Sequence, residues 1–133
     1  MTTISAQNAR AANNGKIAED YISNEYRIEI TTNAIIDGHY NGFPVEVKSC
    51  QLWITDNHNS LSRRRGRFWL REDQHAHLLK NNGFYIFVLL EDEQPLYSKF
   101  IPAWSISPLF TTNRTNFQIV CTKIFPELKG GEY

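Results

Sequence analysis

Two acidic residues and a lysine in the first half of the chain have types and spacing suited to chemistry. Asp37 precedes the segment 44–48, which reads Pro-Val-Glu-Val-Lys. Side chains two apart in a strand share one face, about 6 to 7 Å apart, so Glu46 and Lys48 should point the same way. The Asn41-Gly42 pair predicts a tight hairpin. Such a hairpin would bring Asp37 beside Glu46 and Lys48.

Those residue types favour phosphodiester hydrolysis. Two neighbouring carboxylates raise each other's pKa unless a cation lies between them. Carboxylate and carbonyl oxygens suit Mg²⁺, with Mn²⁺ as the expected substitute. A metal held by Asp37, Glu46 and the main-chain carbonyl of Val47 could bind a phosphate oxygen and acidify a water. Lys48 could orient that water and offset charge on the phosphorus.

A second interpretation of the same residues is an ordinary ion pair on an exposed strand edge. A Glu-x-Lys triplet discriminates weakly by itself. The chain contains another, Glu127-Leu-Lys129, in a tail flanked by proline and glycine where a solvated surface is expected. The apolar neighbours of Glu46 favour a position at the rim of a core instead.

The elements that must position these residues follow a coarse α-β-β-β-α-β-β order with one further strand. The pattern predicts one α/β domain over residues 1–133, a mixed central sheet flanked by helices. Asn13, Asn14 and Gly15 weaken the middle of the first helix, which would allow two pieces. Phe84 to Leu90 is apolar throughout, which is typical of a strand buried on both faces. The predicted elements are helix 5–24, strands 26–30, 33–38 and 43–50, loop 54–66, helix 71–82, and strands 84–90, 96–103 and 117–125.

Composition limits the class of protein. Fourteen basic and fourteen acidic residues give zero net charge, which argues against a domain that coats nucleic acid. No apolar run reaches the roughly 20 residues that span a bilayer, and the polar N-terminus lacks a secretory signal. With only Cys50 and Cys121 there is no disulfide framework. We therefore expect an intracellular, cytoplasmic protein with no membrane association.

A basic run interrupts this neutral background. Arg63, Arg64, Arg65 and Arg67 fall within five residues. Guanidinium groups bind phosphates bidentately, and the intervening glycine allows close backbone approach. We predict that these arginines bind DNA together with Gln51, although a solvated loop and a strand-capping glutamine are the ordinary alternatives.

Taken together, these motifs resemble the PD-(D/E)xK nuclease superfamily. The resemblance rests on Asp37, on Glu46-x-Lys48 after a hairpin, and on Gly15-Lys-Ile-Ala-Glu19-Asp-Tyr-Ile in the preceding helix. It is nearest to the archaeal Holliday junction resolvases and covers most of the chain. It implies a restriction-endonuclease-like core (αβββαβ), a divalent metal, cleavage of DNA and a homodimer. It also implies a catalytic glutamate at Glu19, with Asp20 as the neighbouring alternative.

Two features depart from the family pattern. Ile36 stands before Asp37 in place of the motif's proline, which many members also lack. Junction resolvases tend to be basic whereas this chain is neutral, which keeps the substrate open. Type II restriction endonucleases share the same catalytic trio and cut duplex DNA at a specific sequence. A DNA-binding module that kept the nuclease fold without catalysis is the alternative outside the enzyme class.

The expected dimer needs an apolar surface. Trp104, Ile106, Leu109 and Phe110 cluster in a segment too short to bury all of them against its own core. A C2 dimer is the commonest way to supply a second active site. We therefore predict an interface near residues 103–125.

Overall fold

The computed structural model describes residues 6–26, 28–30, 38–55, 63–106 and 116–128. Asp37 of the predicted trio lies outside these ranges, as do Leu109 and Phe110 of the predicted interface. Among the described helices, none is both long enough and apolar enough to cross a membrane. The helices are α1 (Ala6–Tyr26), α2 (Glu72–Lys80) and α3 (Cys121–Ile124), with 3-10 turns at Ala103–Ser105 and Pro126–Leu128. The strands are β1 (Glu29–Ile30), β2 (Gly38–Tyr40), β3 (Phe43–Gln51), β4 (Trp53–Thr55), β5 (Arg63–Arg65), β6 (Arg67–Arg71), β7 (Phe84–Glu91), β8 (Gln94–Pro102) and β9 (Asn116–Val120).

The main sheet is mixed, as predicted. Its five strands lie in the order β1-β2-β3-β7-β8, with β3 antiparallel to β2 and parallel to β7. The predicted hairpin is also confirmed, because Tyr40 pairs with Phe43 across Asn41 and Gly42. Both turn residues have positive φ, 50° and 85°, as a two-residue type I′ turn requires. The α/β class and the mixed central sheet flanked by helices are therefore correct.

The largest error of the sequence analysis is the loop expected over residues 54–66. Its two ends form strands instead, with Thr55 of β4 opposite Arg63 of β5 in a separate two-stranded sheet. β6 follows directly and pairs with β9, so that Phe68 lies opposite Ile119. That pairing joins segments about fifty residues apart in the chain, and neither strand has a hairpin turn to announce it.

Element ends also differ from expectation. α1 continues through Gly15 to Tyr26 as one helix, so Tyr26 does not begin a strand, and β1 starts only at Glu29. Two contacts explain the longer helix: Ala18 and Ile22 are fully buried against the sheet, and the Tyr26 hydroxyl is 2.8 Å from the Ser98 hydroxyl on β8. The last predicted strand, 117–125, ends at Val120, and the residues that follow turn into α3.

The two faces of the sheet carry two separate cores. On the α1 face, Ala18 and Ile22 pack against Val45, Val47, Ile86 and Val88. On the other face, α2, β6, β9 and α3 cover Tyr85, Phe87 and Leu89 of β7. Strand β7 is therefore buried on both sides, as its apolar sequence predicted.

The two cysteines are free and buried in the α2-face core. Burial, followed by a hydrogen bond to Cys121, raises the pKa of the Cys50 thiol. The same hydrogen bond, received from Cys50, lowers the pKa of Cys121, and the charge of Arg65 lowers it further. The pair joins the end of β3 to the start of α3.

A close backbone crossing lies beside the start of β4 and the end of β5. A Cβ placed on Gly66 would lie 1.8 Å from the carbonyl oxygen of Gln51. Gly66 also receives a hydrogen bond from Cys121 N at 2.9 Å and donates one to Leu52 O at 3.3 Å. Only glycine allows the two segments of the backbone to pass this closely.

This crossing yields a matched pair of variants. Gly66→Ala should lower the free energy of unfolding by at least about 2 kcal/mol, because the methyl group displaces main-chain atoms rather than a flexible side chain. Gly15→Ala is the control, since its Cβ meets nothing within 4 Å and should raise stability by about 0.5 to 1 kcal/mol. Urea denaturation measures both. Equal effects of the two substitutions would contradict the crossing.

Candidate active site

The centre of the site is an ion pair on β3. Glu46 and Lys48 lie two residues apart on this strand, and Lys48 Nζ is 3.3 Å from Glu46 Oε1. The predicted shared face is therefore confirmed. Val45 and Val47 point to the opposite side, into the α1-face core. Strand alternation alone produces this separation of charged and apolar side chains.

Burial distinguishes this pair from a surface salt bridge. Only 4% of the Glu46 side chain and 14% of the Lys48 side chain are exposed, because β3 is flanked by β2 and β7 rather than at an edge. Removing each charge from water costs several kcal/mol, which the attraction between them often fails to recover. The exposed-edge interpretation is wrong, and the cost points to a role other than stability.

A glutamine from α2 completes the surroundings of the lysine. Gln74 Oε1 accepts a hydrogen bond of 2.8 Å from Lys48 Nζ, and Gln74 is 7% exposed. Asp73 positions the start of this helix, since its Oδ1 accepts bonds from Gln74 N at 2.8 Å and from Arg71 Nε at 3.0 Å. The hydrogen bond from Arg71 holds the pKa of Asp73 below its usual value. Gln74 was not predicted as a site residue. The only indication of its role in the neighbouring sequence is its position near the start of a predicted helix.

A second polar pair lies behind the carboxylate. Tyr85 occupies the β7 position in register with Glu46, and its hydroxyl is 2.8 Å from His75 Nδ1. Burial, together with the negative charge of Glu46, raises the pKa of Tyr85, so the phenol stays protonated. Burial also lowers the pKa of His75. This pair is neutral at physiological pH and adds no charge beside Glu46.

Of the remaining predicted catalytic residues, the structure describes Glu19 and its neighbour Asp20 but not Asp37. Asp37 lies outside the described residues, but the next residue, Gly38, pairs with Val45, the neighbour of Glu46. On α1, Glu19 is partly buried, whereas Asp20 is exposed and pairs with Lys16 at 3.2 Å. α1 packs on the Val45 side of β3. The Lys16 pair makes Asp20 an ordinary surface residue of this helix.

The predicted DNA-binding residues do not form one uniform group. Arg63 and Arg64 are exposed on β5, whereas Arg65 is half-buried with its guanidinium 4.1 Å from the centre of the Trp53 ring. Arg67 is exposed and bonds to Gln118 at 3.1 Å. Gln51 is half-buried and donates to Asn14 Oδ1 at 3.1 Å, so it ties β3 to α1.

The donor atoms at this site suit a hard cation. Within the described ranges, no three His, Cys, Asp or Glu side chains come together as a metal cluster. The described oxygen donors at the predicted position are the buried Glu46 carboxylate and the main-chain carbonyl of Val47. Three of the soft or borderline ligands are engaged elsewhere: His75 with Tyr85, and the two thiols with each other. Oxygen donors of this kind fit Mg²⁺ or Mn²⁺ rather than zinc.

The buried imidazole should leave a signature in the pH dependence of stability. Because the folded-state pKa of His75 is lowered from 6.5, the unfolded chain takes up a proton more readily than the folded one. The contribution is therefore complete above about pH 6.5 and is lost as pH falls through the folded value. His75→Gln should flatten the fall of the urea midpoint over this acidic range. A His75→Gln profile that falls as steeply as that of the wild type would contradict the assignment.

Comparison with known proteins adds one positive finding. A family model described as a PD-(D/E)XK nuclease superfamily domain matches residues 5–112, well over half of the chain. No curated protein matches the sequence. The matched range contains the Glu46–Lys48 pair, Gln74 and the segment that carries Asp37.

Proposed function

Because this chain belongs to the PD-(D/E)XK nuclease superfamily, we propose that it is a divalent-metal-dependent DNA endonuclease acting on branched DNA. The observation that carries the proposal is the Glu46–Lys48 pair, which is buried on a central strand and held by Gln74. A non-catalytic module has no reason to keep two charges at such a cost. The junction substrate follows the resemblance to archaeal resolvases.

In this proposal the metal is held by oxygen atoms alone. Asp37 and Glu46 supply carboxylates, and Val47 supplies its main-chain carbonyl. Bound Mg²⁺, or Mn²⁺ in its place, would supply positive charge to the phosphate and acidify a water molecule. The burial of Glu46 excludes bulk water from the carboxylate and strengthens its attraction for a cation.

Lys48 positions and stabilises the reacting groups. An ammonium group carries three N–H donors, and its bonds to Glu46 and Gln74 fix the direction of the third. We assign that donor to the attacking water and to the charge that develops on the phosphate oxygens. Gln74 acts through Lys48, so it is a positioning residue rather than a catalytic one.

Glu19 and the arginines complete the proposed assignment. We retain Glu19 rather than Asp20 as the α1 carboxylate of the site, since Asp20 pairs with Lys16. Arg63, Arg64 and Arg67 are exposed and available for phosphates, while Arg65 braces Trp53. Gln51 contacts Asn14, so any contact with DNA would require it to leave that partner.

A cleavage assay tests the substrate class. The protein is incubated with Mg²⁺ and either a synthetic four-way junction or plasmid DNA. Symmetric cuts near the branch point, with plasmid left intact, are expected. Discrete fragments from plasmid would instead identify a sequence-specific restriction enzyme. No cleavage with Mg²⁺ or Mn²⁺, alongside retained DNA binding, would identify the non-catalytic module.

Point variants should separate the roles of the site residues. Glu46→Gln and Asp37→Asn should abolish cleavage and weaken metal binding, measured by calorimetry. Lys48→Ala should retain metal binding but lose about 10² to 10⁴-fold in the single-turnover rate. Gln74→Met should show a smaller loss, because Lys48 keeps its charge but not its orientation. Full activity in Glu46→Gln, or loss of metal binding with intact cleavage in Lys48→Ala, would contradict the assignment.

We further propose a homodimer, since cutting two symmetric strands needs two active sites. Ile106 was expected at the interface, but it is 4% exposed and belongs to the core. Trp104 remains a candidate with 71% exposure, and Trp69 has 58%; both lie on elements that pack against α2. These tryptophans are the apolar surface that supports a second copy.

The dimer has its own test. Trp104→Ser should shift the protein toward a 15 kDa species in sedimentation at micromolar concentration, because it removes the largest exposed apolar side chain of the proposed interface. Tyr97→Ser is the control, since Tyr97 is 51% exposed on β8 and should leave the association unchanged. Wild-type protein that sediments as a monomer with DNA, yet cuts both strands together, would contradict the dimer.

A further inference from the structure

Strands β4 and β5 form a separate two-stranded sheet, which we call the arm. Among the described strands they pair with each other alone, Trp53 opposite Arg65 and Thr55 opposite Arg63. Only Leu52 separates the arm from the end of β3. The arm therefore begins where the strand that carries Glu46 and Lys48 ends, and the Gly66 crossing fixes its base.

The Trp53 ring restrains the guanidinium groups of two arginines of the arm. The guanidinium carbons of Arg63 and Arg65 lie 5.0 Å and 4.1 Å from the centre of the same Trp53 ring. Stacking on an indole face restrains a guanidinium while its N–H groups stay in the plane of the fork. Arg64 projects from the other side of β5, and its Nη1 donates to Arg65 O at 3.4 Å. Two exposed arginines, Arg63 and Arg64, are thus presented by a braced hairpin.

The number of residues between the arm and the Glu46–Lys48 pair sets an upper limit on the distance between them. Trp53 lies five residues beyond Lys48, and Thr55 lies nine residues beyond Glu46. At about 3.3 Å per strand residue, the arm lies at most about 17 to 30 Å from the carboxylate and ammonium groups. Duplex DNA rises about 3.4 Å per base pair. These upper limits correspond to about five and nine base pairs, so the arm lies within about nine base pairs of the site along a duplex.

An acidic turn borders the arm. Glu91, Asp92 and Glu93 are exposed in the β7–β8 turn, and the preceding residue, Leu90, pairs with Gln51 and accepts a bond from Leu52 N at 2.7 Å. These carboxylates repel phosphate at the end of the main sheet. A nucleic acid that leaves the site is therefore attracted along the arm and repelled from the neighbouring turn.

The geometry points to the arm as the element that sets the length of duplex this enzyme requires. Arg63 and Arg64 bind phosphates of the duplex flank, at most about nine base pairs from the scissile bond. The inference rests on the proposed nuclease function. It specifies a duplex because a stiff ligand holds the flank against the arm while the scissile bond lies in the site, and duplex DNA stays stiff over about 150 base pairs.

The test measures how the length of the duplex flank and the charge of the arm together affect cleavage and DNA binding. The DNA that the wild-type protein cuts is prepared with duplex flanks of about 4 or about 15 base pairs beyond the cut, trimmed on each side in turn, and short ends are closed by hairpin loops. Single-turnover cleavage and the Kd, by fluorescence anisotropy, are measured for Arg63→Gln/Arg64→Gln. Lys80→Gln/Lys123→Gln is the control, because it removes the same charge from exposed positions outside the arm.

On one side of the cut, wild-type protein should bind the long flank more tightly, and the arm variant should lose that advantage. Its salt slope on long DNA should fall by about 1.8, from roughly 0.9 for each of two lost contacts, with no change on short DNA. The control variant should retain the length effect. A single-stranded overhang of equal length should not replace the duplex flank.

The possible failures are distinguishable. Cleavage that shows no flank-length effect, or an equal loss on long and short DNA in the arm variant, would overturn the arm inference and leave the nuclease function intact. An overhang that works as well as duplex would also overturn it. Absence of cleavage with a retained length effect on Kd would contradict the proposed function alone. Absence of both would reject the two together.

Discussion

The structure depends on one demand placed on β3: a strand flanked on both sides must carry a carboxylate and an ammonium group in its interior. Parallel pairing with β7 buries the strand, and alternation sends Val45 and Val47 to one core while Glu46 and Lys48 face the other. The second face must then supply polar partners. Gln74 does so directly, and the neutral Tyr85–His75 pair fills the space behind without adding charge. The elements that deliver these side chains are arranged around that requirement.

The features predicted correctly from the sequence are those that residues close together in the chain determine. The hairpin at Asn41 and Gly42 requires two residues with positive φ, and few residue pairs satisfy that condition. In β7 the apolar run, and in β3 the alternation of apolar and charged residues, likewise show from adjacent residues which side chains are buried. The shared face of Glu46 and Lys48 follows from strand geometry alone, so the order of residues within β3 is enough to predict this part of the trio.

The features that were missed depend on contacts between distant segments. The β6–β9 pairing joins residues about fifty positions apart. The alternation of exposed and buried residues within β6 does not show which strand is its partner. The arm was predicted as a loop because polar residues dominate it, whereas its strands are held by Trp53 and by the crossing at Gly66. Gln74 was missed for the same reason: its partner is 26 residues earlier. Sequence periodicity reports which face a residue takes but not which neighbour it meets.

The position of residues 116–128 in the core has a consequence for biosynthesis. The family match covers residues 5–112, yet Ile119, Cys121, Phe125 and Leu128 are buried in the core on the α2 face. Phe68 and Phe87 therefore have no complete cover until residues 116–128 have been synthesised. Chains emerge from the ribosome N-terminus first, so the α1 face of the sheet can be covered earlier than the face that holds Lys48. A nascent chain has the Glu46–Lys48 sequence well before it has the packing on this face of the sheet. The order of translation therefore delays assembly of the site until residues 116–128 have been synthesised.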